Sequence, residues 1–187
     1  MKLSAHVDSS ELDQKDGTAP YPSKWYTTRA VPLTEQIEII RGAANEIRPV
    51  GSPERRVHIL SGYRTPEYNA AKNGAPDSQH MYGRAADIMV DGMTAEELHG
   101  LIASLIASGR VQLGGLGMYS DKKYGVHIDI RPTEGRVAQW GANIISGLRN
   151  VAAVASRPSV AVPALLVLAA IAYALFATGP EKRRRHA

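Results

Sequence analysis

The fold is decided by one stretch of sequence, Ser78-Gln79-His80-Met81-Tyr82-Gly83-Arg84-Ala85-Ala86-Asp87. Its second half runs into 85–90, a small and mostly apolar segment that predicts a buried strand. Gly83 allows the chain to turn between His80 and Asp87. An unpaired carboxylate among small apolar neighbours is costly to bury, and a cation beside it would remove that cost. The stretch therefore indicates a metal site held on a sheet.

A second histidine lies in a later apolar segment, Val126-His127-Ile128-Asp129-Ile130. Together with 114–118, this segment predicts two antiparallel strands joined by a polar turn at 120–123. His127 and Asp129 are two residues apart, so both side chains point to one face of a regular strand. The later segment therefore supplies a second histidine and a second carboxylate to one sheet.

The sequence contains no cysteine, so a transition-metal site must use His, Asp or Glu. Two histidines and one carboxylate, His80, Asp87 and His127, leave the fourth tetrahedral position open for water, as catalytic zinc requires. On spacing alone there is an alternative: Asp87 caps a turn, and both histidines are ordinary surface residues.

Helices and strands are mixed without regular alternation in the rest of the domain. From residue 1 to about 32 the chain is polar and turn-rich, and we expect it to wrap the surface. A helix is expected at 33–48 with Thr34 as its N-cap, and a second opens at Thr94 with Glu97 completing a capping box. A short strand is expected at 57–60 and a helical turn at 66–72. This pattern predicts an α+β domain: a small mixed or antiparallel sheet with flanking helices and the zinc site on the sheet.

The composition changes after Trp140, and we expect four segments in the chain. They are a folded domain at 1–141, a linker at 142–159, a transmembrane anchor at 160–179 and a basic tail at 180–187. The run 160–178 carries no charge and is long enough to cross the hydrocarbon core.

The basic residues 182–185 favour a cytoplasmic C-terminus by the positive-inside rule. The folded domain of a single-pass protein would then face the periplasm or the cell wall. A tail-anchored protein with a cytoplasmic domain is the competing topology, and a buried core helix is the third interpretation. The first residues contain no apolar signal-peptide segment, which leaves the route across the membrane open.

Three separated segments match the pattern of a known family: Ser61-Gly62-Tyr63-Arg64-Thr65-Pro66, the stretch from Ser78 to Asp87, and Gly125-Val126-His127-Ile128-Asp129. The chain resembles the M15 peptidases, the zinc D-Ala-D-Ala carboxypeptidases and related endopeptidases of bacteria and phages. The resemblance covers about residues 3–140, with the three motifs in the family's order. It implies that His80, Asp87 and His127 hold Zn²⁺ and that the substrates are peptidoglycan stem peptides.

The general base is where the chain departs from the family. Many members have an acid three positions before the last histidine ligand, and Tyr124 stands there in this chain. We expect Asp129 to act either as the catalytic base or as a group that orients a ligand. Asp121, in the turn, is the alternative base, although a solvated turn residue is the better interpretation of it.

Several further residues are candidates for the substrate site. The resemblance implies that Arg64 faces the substrate, where a guanidinium suits a carboxylate or a polarised carbonyl; a structural salt bridge is its alternative role. Ser78 and Gln79 are positioned to hydrogen-bond near the site, and Tyr82 and Trp140 to line the cleft. His58 and His99 fall inside a strand and a helix, and we interpret both as structural.

Two functions of different classes fit these observations. The first is an enzyme, a zinc metallopeptidase that hydrolyses amide bonds in peptidoglycan as a phage lysis or virion-associated enzyme or a host envelope enzyme. The second is a membrane-anchored structural protein that keeps the zinc fold with weak or no turnover, and Tyr124 is the feature that keeps it open. The net charge of +4 includes the basic tail, and no basic stripe with interleaved aromatic residues is present. We therefore expect no nucleic-acid binding.

Overall fold

The computed structural model describes residues 1–119 and 125–141. These residues form three α-helices and five strands. The helices are α1 (Val31–Glu46), α2 (Pro66–Ala71) and α3 (Ala95–Ala107). The strands are β1 (Val57–Ser61), β2 (Ala85–Val90), β3 (Gly115–Met118), β4 (Val126–Asp129) and β5 (Ala138–Trp140). The mixed α+β architecture agrees with the expectation from sequence.

The five strands form one sheet in the order β1-β2-β4-β3-β5. The pairs β1–β2, β2–β4 and β3–β4 are antiparallel. β5 pairs with β3 in the parallel direction, so the sheet is mixed. The sequence did not predict β5, which is short, half-exposed and without an alternating apolar pattern.

One face of the sheet is apolar and the other carries polar side chains. Ala86, Ile88 and Val90 of β2 belong to the hydrophobic core, as do Val126 and Ile128 of β4. Helices α1 and α3 pack on each other and against the sheet, which covers that face. Because side chains alternate along a strand, the residues between the core positions point to the opposite face.

The N-terminal segment contributes to the core, which corrects the expectation of a surface wrap. Short 3₁₀ turns lie at Ser9–Leu12 and Ser23–Trp25, and a π-helical turn lies at Tyr26–Ala30. Leu12 is fully buried and Tyr21 is nearly so. A turn-rich sequence does not exclude burial of its few apolar residues, and this chain buries them beneath β1 and α1.

The start of α1 was predicted wrongly, and the start of α3 correctly. Thr34 does not cap α1, which begins at Val31 directly after the π-helical turn; the Thr34 hydroxyl donates to the carbonyl of Val31. Thr94 caps α3 and forms a capping box with Glu97. The capping-box residues satisfy backbone groups by themselves, whereas the entry into α1 depends on helical turns that the sequence pattern does not reveal.

Within the described part of the chain, no helix combines the length and the apolar character that crossing a membrane requires. The predicted linker 142–159, anchor 160–179 and tail 180–187 lie outside the described residues.

Candidate metal centre

Strand pairing brings the three predicted ligands together. Asp87 on β2 lies directly opposite His127 on the neighbouring strand β4, on the sheet face that the helices leave uncovered. His80 comes from the loop before β2. That loop turns at Gly83, whose φ of +61° suits glycine, and the Tyr21 hydroxyl donates to the Gly83 carbonyl. Residues distant in sequence thus converge on one buried point.

The three ligand atoms have the spacing of a tetrahedral metal site. Nε2 of His80 lies 3.2 Å from Nδ1 of His127 and 3.2 Å from Oδ1 of Asp87. The His127 Nδ1 to Asp87 Oδ1 distance is 3.0 Å. Ligands about 2.0 to 2.1 Å from a tetrahedral zinc are about 3.3 Å apart. His80, Asp87 and His127 can therefore hold a metal ion with little movement.

The hydrogen bond on the far side of His80 fixes which ring nitrogen faces the site. Nδ1 of His80 lies 2.7 Å from the carbonyl oxygen of Gly62, which only accepts, so Nδ1 carries the proton. Burial lowers the pKa of His80, so the ring is neutral. Nε2 therefore presents a lone pair to the site, which is the form that binds a metal.

His127 is oriented in the same way by a carboxylate. Its Nε2 lies 3.1 Å from Oδ2 of Asp129, which leaves Nδ1 to face Asp87. Burial disfavours the charged ring, but the hydrogen bonds to Asp129 and Asp87 outweigh it and raise the pKa of His127. Without a metal, a proton shared between His127 and Asp87 balances the Asp87 charge; a bound metal ion replaces that proton.

Asp129 is enclosed beneath the site and does not line the cleft. It is 0% exposed, and Nη2 of Arg131 donates to its Oδ2 at 2.6 Å. Burial opposes ionisation, but hydrogen bonds from His127 and Arg131 lower the pKa of Asp129 to about 2. Of the two roles expected for Asp129, this geometry favours orientation of His127. The alternative base Asp121, like Tyr124, lies outside the described residues.

Arg64 and Tyr119 hold the carboxylate of Asp87 in addition to the two histidines. Nη2 of Arg64 donates to Oδ2 of Asp87 at 2.6 Å, so the structural salt bridge, the alternative role for Arg64, is formed. The Tyr119 hydroxyl lies 3.2 Å from Oδ1 of Asp87. Burial alone would raise the pKa of Asp87, but the hydrogen bond from His127 and the charge of that ring lower it. Asp87 is therefore ionised and fixed in position.

A cleft of about 860 Å³ opens over these ligands. It is large enough for several residues of a peptide. Of the predicted substrate residues, Arg64, Ser78, Gln79 and Trp140 line it. Tyr82 is 43% exposed and lies outside this lining, so the structure does not bring it to the cleft. Among the other histidines, His58 pairs with Asp91 at the surface and His99 is buried in α3.

Trp140 forms a wall beside the metal ligands. Its ring centroid is 4.9 Å from that of His127. The indole lies across Gly117, its β3 partner in the sheet, where an added Cβ would come within 2.2 Å of the ring. A side chain at position 117 would thus displace the tryptophan.

The lining residues that sequence reasoning did not identify include Lys15, Lys72, Tyr119 and Arg131. The position of Arg131 could have been suspected, because it lies two residues after Asp129 and thus continues the same face of β4. No periodic signal marks the other three, whose placement depends on how loops and the N-terminal segment pack.

Two buried imidazoles and one carboxylate with an open side to a cleft could hold a metal ion, and this ligand set is typical of catalytic zinc sites. Residues 42–129 match the family model described as Peptidase M15, and this segment contains His80, Asp87 and His127. The match supports the assignment of the chain as an M15 family peptidase, and the resemblance expected from its motifs is confirmed. Comparisons with curated proteins and with solved structures gave no match to this chain.

Proposed function

We propose that the chain is a zinc-dependent peptidase that hydrolyses amide bonds in peptidoglycan peptides. The observation that carries the proposal is the convergence of His80 Nε2, Asp87 Oδ1 and His127 Nδ1 within 3.0 to 3.2 Å of one another. M15 peptidases are metallopeptidases, and the match over 42–129 supports peptidase chemistry. Imidazole and carboxylate ligands suit zinc.

Each residue of the centre has a distinct task in this proposal. His80, Asp87 and His127 bind the metal, Asp129 orients His127, and Arg64 with Tyr119 holds Asp87. The chemistry that zinc supplies in such sites is polarisation of the scissile carbonyl and activation of water. Nη2 of Arg64 donates a hydrogen bond to Asp87 and Nε donates one to Ser61. Because a guanidinium has five N–H donors, Arg64 can also donate to a substrate carbonyl or carboxylate.

Proton transfer needs a carboxylate with access to the cleft. Among the described residues that line it, Asp77 and Asp87 are the carboxylates, and Asp87 is a metal ligand. Asp77 is exposed, and we therefore include it with Asp121 as a candidate base. Asp129 is disfavoured as the base, because it is buried and does not line the cleft.

The proposal also includes the location of the enzyme. The uncharged run 160–178 supports a single membrane anchor, and the basic tail supports a domain that faces the periplasm or cell wall. A wall hydrolase meets its substrate on that side, either as a host envelope enzyme or as a phage lysis enzyme. Resistance of the full-length chain to carbonate extraction from membranes tests the anchor, and complete recovery in the soluble fraction contradicts it.

The test of the activity uses the purified full-length chain in detergent. We expect about one zinc per chain by elemental analysis, in line with a single three-ligand centre, and release of peptide fragments from purified peptidoglycan. Mass analysis of the fragments identifies the bond. Chelation should stop the release, and added zinc should restore it. A zinc-loaded chain that releases no fragment from peptidoglycan contradicts the proposed activity.

The second candidate function is a membrane-anchored zinc protein without significant turnover. The observation in its favour is that Asp129, the nearest additional carboxylate, is sealed from the cleft by burial and by Arg131. Stoichiometric zinc together with undetectable hydrolysis would support this candidate. Where hydrolysis is detected, the variant Asp77→Asn tests the base, because it lowers turnover only if the Asp77 carboxylate accepts the proton.

A further inference from the structure

Two lysines line the cleft on the side formed by α2 and the N-terminal segment. Lys72 is the C-cap residue of α2, and Lys15 follows the first 3₁₀ turn. Both are exposed, and both line the same cleft as the metal ligands. Neither residue has a role in the site expected from sequence, and the proposed metal centre does not use them.

Lys15 is held at this edge by a buried glutamine. Oε1 of Gln14 accepts a hydrogen bond from the backbone N–H of Thr65 at 2.8 Å, and its Nε2 donates to Asp16 and Thr18 at 2.9 and 2.7 Å. Gln14 is only 4% exposed. Thr65 in turn caps α2 and directly follows Arg64. The N-terminal segment is therefore fastened to α2, and the position of Lys15 follows from buried contacts rather than from a free surface chain.

The charges of the cleft are unevenly compensated. Arg64 pairs with Asp87 and Arg131 with Asp129, both at 2.6 Å. Within 1–119 and 125–141, neither Lys15 nor Lys72 forms an ion pair. Nζ of Lys15 donates to the backbone carbonyl of Glu11 at 2.7 Å, and Nζ of Lys72 lies 5.3 Å from the Tyr68 ring. Unlike Arg64 and Arg131, the two lysines are thus cleft cations without a carboxylate in an ion pair among the described residues.

Glu11 and Asp13 act on Lys15 through their charge, but among the described residues no acid lies within ion-pair distance of it. Burial lowers the pKa of Lys15, against the opposing effect of Glu11 and Asp13. Oδ1 of Asp13 accepts the backbone N–H of Tyr21, and Oε1 of Glu11 accepts that of Asp8. Asp77, the exposed acid in the cleft, acts on Arg131. An ammonium group that is partly desolvated and lacks a carboxylate partner gains from an incoming anion.

The lysines occupy a defined side of the cleft relative to the metal centre. The ligands come from the central strands β2 and β4 and from the loop before β2, and Trp140 of β5 lines the opposite end of the sheet. The end of β1, at Leu60 and Ser61, also lines the cleft, and α2 follows β1 closely in sequence. A peptide bound across the metal centre therefore has the lysines on one side and the indole on the other.

We propose that Lys15 and Lys72 form a carboxylate-binding subsite that selects peptide substrates with a free carboxylate on the α2 side of the scissile bond. This inference rests on the proposed peptidase function and names the chemistry of its substrates. The carboxylate is either the C-terminus of the peptide or an internal carboxylate, such as that of a γ-linked glutamate. Both sources offer the same group to two ammonium ions.

The test compares three synthetic stem peptides with the full-length chain: one with all carboxylates free, one amidated at the C-terminus and one amidated at the internal carboxylate. Exposed charge pairs contribute modestly, so we expect each lysine to give about a two- to five-fold preference for the peptide that keeps the relevant carboxylate. The amide that abolishes the preference identifies which carboxylate is bound.

The variants are Lys15→Ala, Lys72→Ala and their combination, with Lys24→Ala as the control, because Lys24 is exposed and lies outside the cleft lining. We expect the ratio of KM values between amidated and free peptides to fall towards one in the double variant and to stay at the parent value in Lys24→Ala. Lys15→Arg and Lys72→Arg should retain most of the preference, because they keep the charge. An unchanged ratio in the double variant overturns the proposal.

Calorimetric binding of the same peptides to the zinc-free chain separates this proposal from the peptidase function. If no peptide is hydrolysed while the free-carboxylate peptide still binds more tightly to the parent than to the double variant, the subsite stands and the peptidase function fails. If peptides are hydrolysed with equal KM whether amidated or free, the peptidase function stands and the subsite fails.

Discussion

The buried floor and the exposed rim of the cleft differ in how their polar side chains are held. On the floor, His80, Asp87, His127 and Asp129 are each at most 4% exposed, and each contacts at least one of the others. On the rim, Lys15, Lys72 and Asp77 are exposed.

The difference shows where the chemistry and the selectivity of the site reside. Buried polar groups require partners, so the floor is a closed network in which each change affects its neighbours. The rim lies in solvent and tolerates change, so its residues can adapt to a substrate without disturbing the metal centre. Substitutions on the floor should therefore affect metal binding, and those on the rim should leave metal binding intact and affect peptide binding or turnover.

The largest effect is expected from removal of a ligand on the floor. His80→Ala and Asp87→Ala should lose stoichiometric zinc, measured by elemental analysis, and with it peptide hydrolysis. The physical reason is that two remaining ligands do not make a catalytic zinc site. His58→Ala is the matched control, because His58 lies in an exposed pair with Asp91. Full zinc occupancy in both ligand variants would show that the metal assignment is wrong.

The next effect distinguishes the two roles expected for Asp129. If Asp129 orients His127, Asp129→Asn should weaken zinc affinity by about 10- to 100-fold, measured by competition with a chelator. A general base would instead show unchanged zinc affinity and turnover lower by about 100-fold or more. Asp91→Asn provides the control, since Asp91 makes a comparable contact with His58 at the surface, at 2.8 Å.

The floor was predictable from sequence because its geometry follows from strand alternation and pairing. Asp87 and His127 each lie between apolar residues of a predicted strand, and antiparallel pairing of those strands places the two side by side. The motif match to the M15 family added His80, whose loop conformation has no periodic signal. The α+β class, the helix that begins after Thr94 and the family all followed from local patterns of this kind.

Much of the rim was not predictable, because its residues are placed by tertiary packing; Ser78, Gln79 and Trp140 were expected at the cleft and line it. Lys15 reaches the cleft only because Gln14 bonds to the backbone of Thr65, fifty-one positions away. Trp140 borders His127 because β5 adds to β3 in the parallel direction, a pairing that three half-exposed residues do not reveal. Tyr82 shows the opposite error: proximity in sequence to His80 does not bring its side chain to the cleft.

A smaller effect is expected where the rim meets the floor, at Gly117. An alanine there would place its Cβ 2.2 Å from the Trp140 ring, so the indole should move away from His127. Overpacking of this kind costs about 1 to 3 kcal/mol of unfolding free energy, measured by denaturant titration. The floor does not depend on the indole, so zinc content should stay unchanged while KM rises.

Two variants make the Gly117→Ala result specific. The chain has two tryptophans, so a Trp25→Phe background leaves the fluorescence of Trp140 as a direct report of the displacement. Gly42→Ala is the control, because nothing lies within 4 Å of the added Cβ at that position. If Gly117→Ala left both the Trp140 fluorescence and KM unaltered, the indole would not form a wall of the cleft.

The smallest effect is expected from Tyr119→Phe, which tests how far the floor network extends. The Tyr119 hydroxyl lies 3.2 Å from Oδ1 of Asp87, and burial raises the pKa of Tyr119, so it stays a neutral phenol. Phenylalanine keeps the ring and removes the hydroxyl that contacts Asp87. Asp87 retains the charged contact with Arg64 at 2.6 Å, and the lost bond, which is long at 3.2 Å, lies at the low end of the about 1.5 to 3 kcal/mol that a hydrogen bond to a charged group contributes. Zinc affinity should therefore fall by at most about ten-fold, at the lower limit of the loss in Asp129→Asn. Tyr82→Phe is the control, because Tyr82 is exposed and lies outside the cleft lining. A loss in Tyr119→Phe as large as that in Asp129→Asn would place Tyr119 in the floor and move the boundary between the two regions outward.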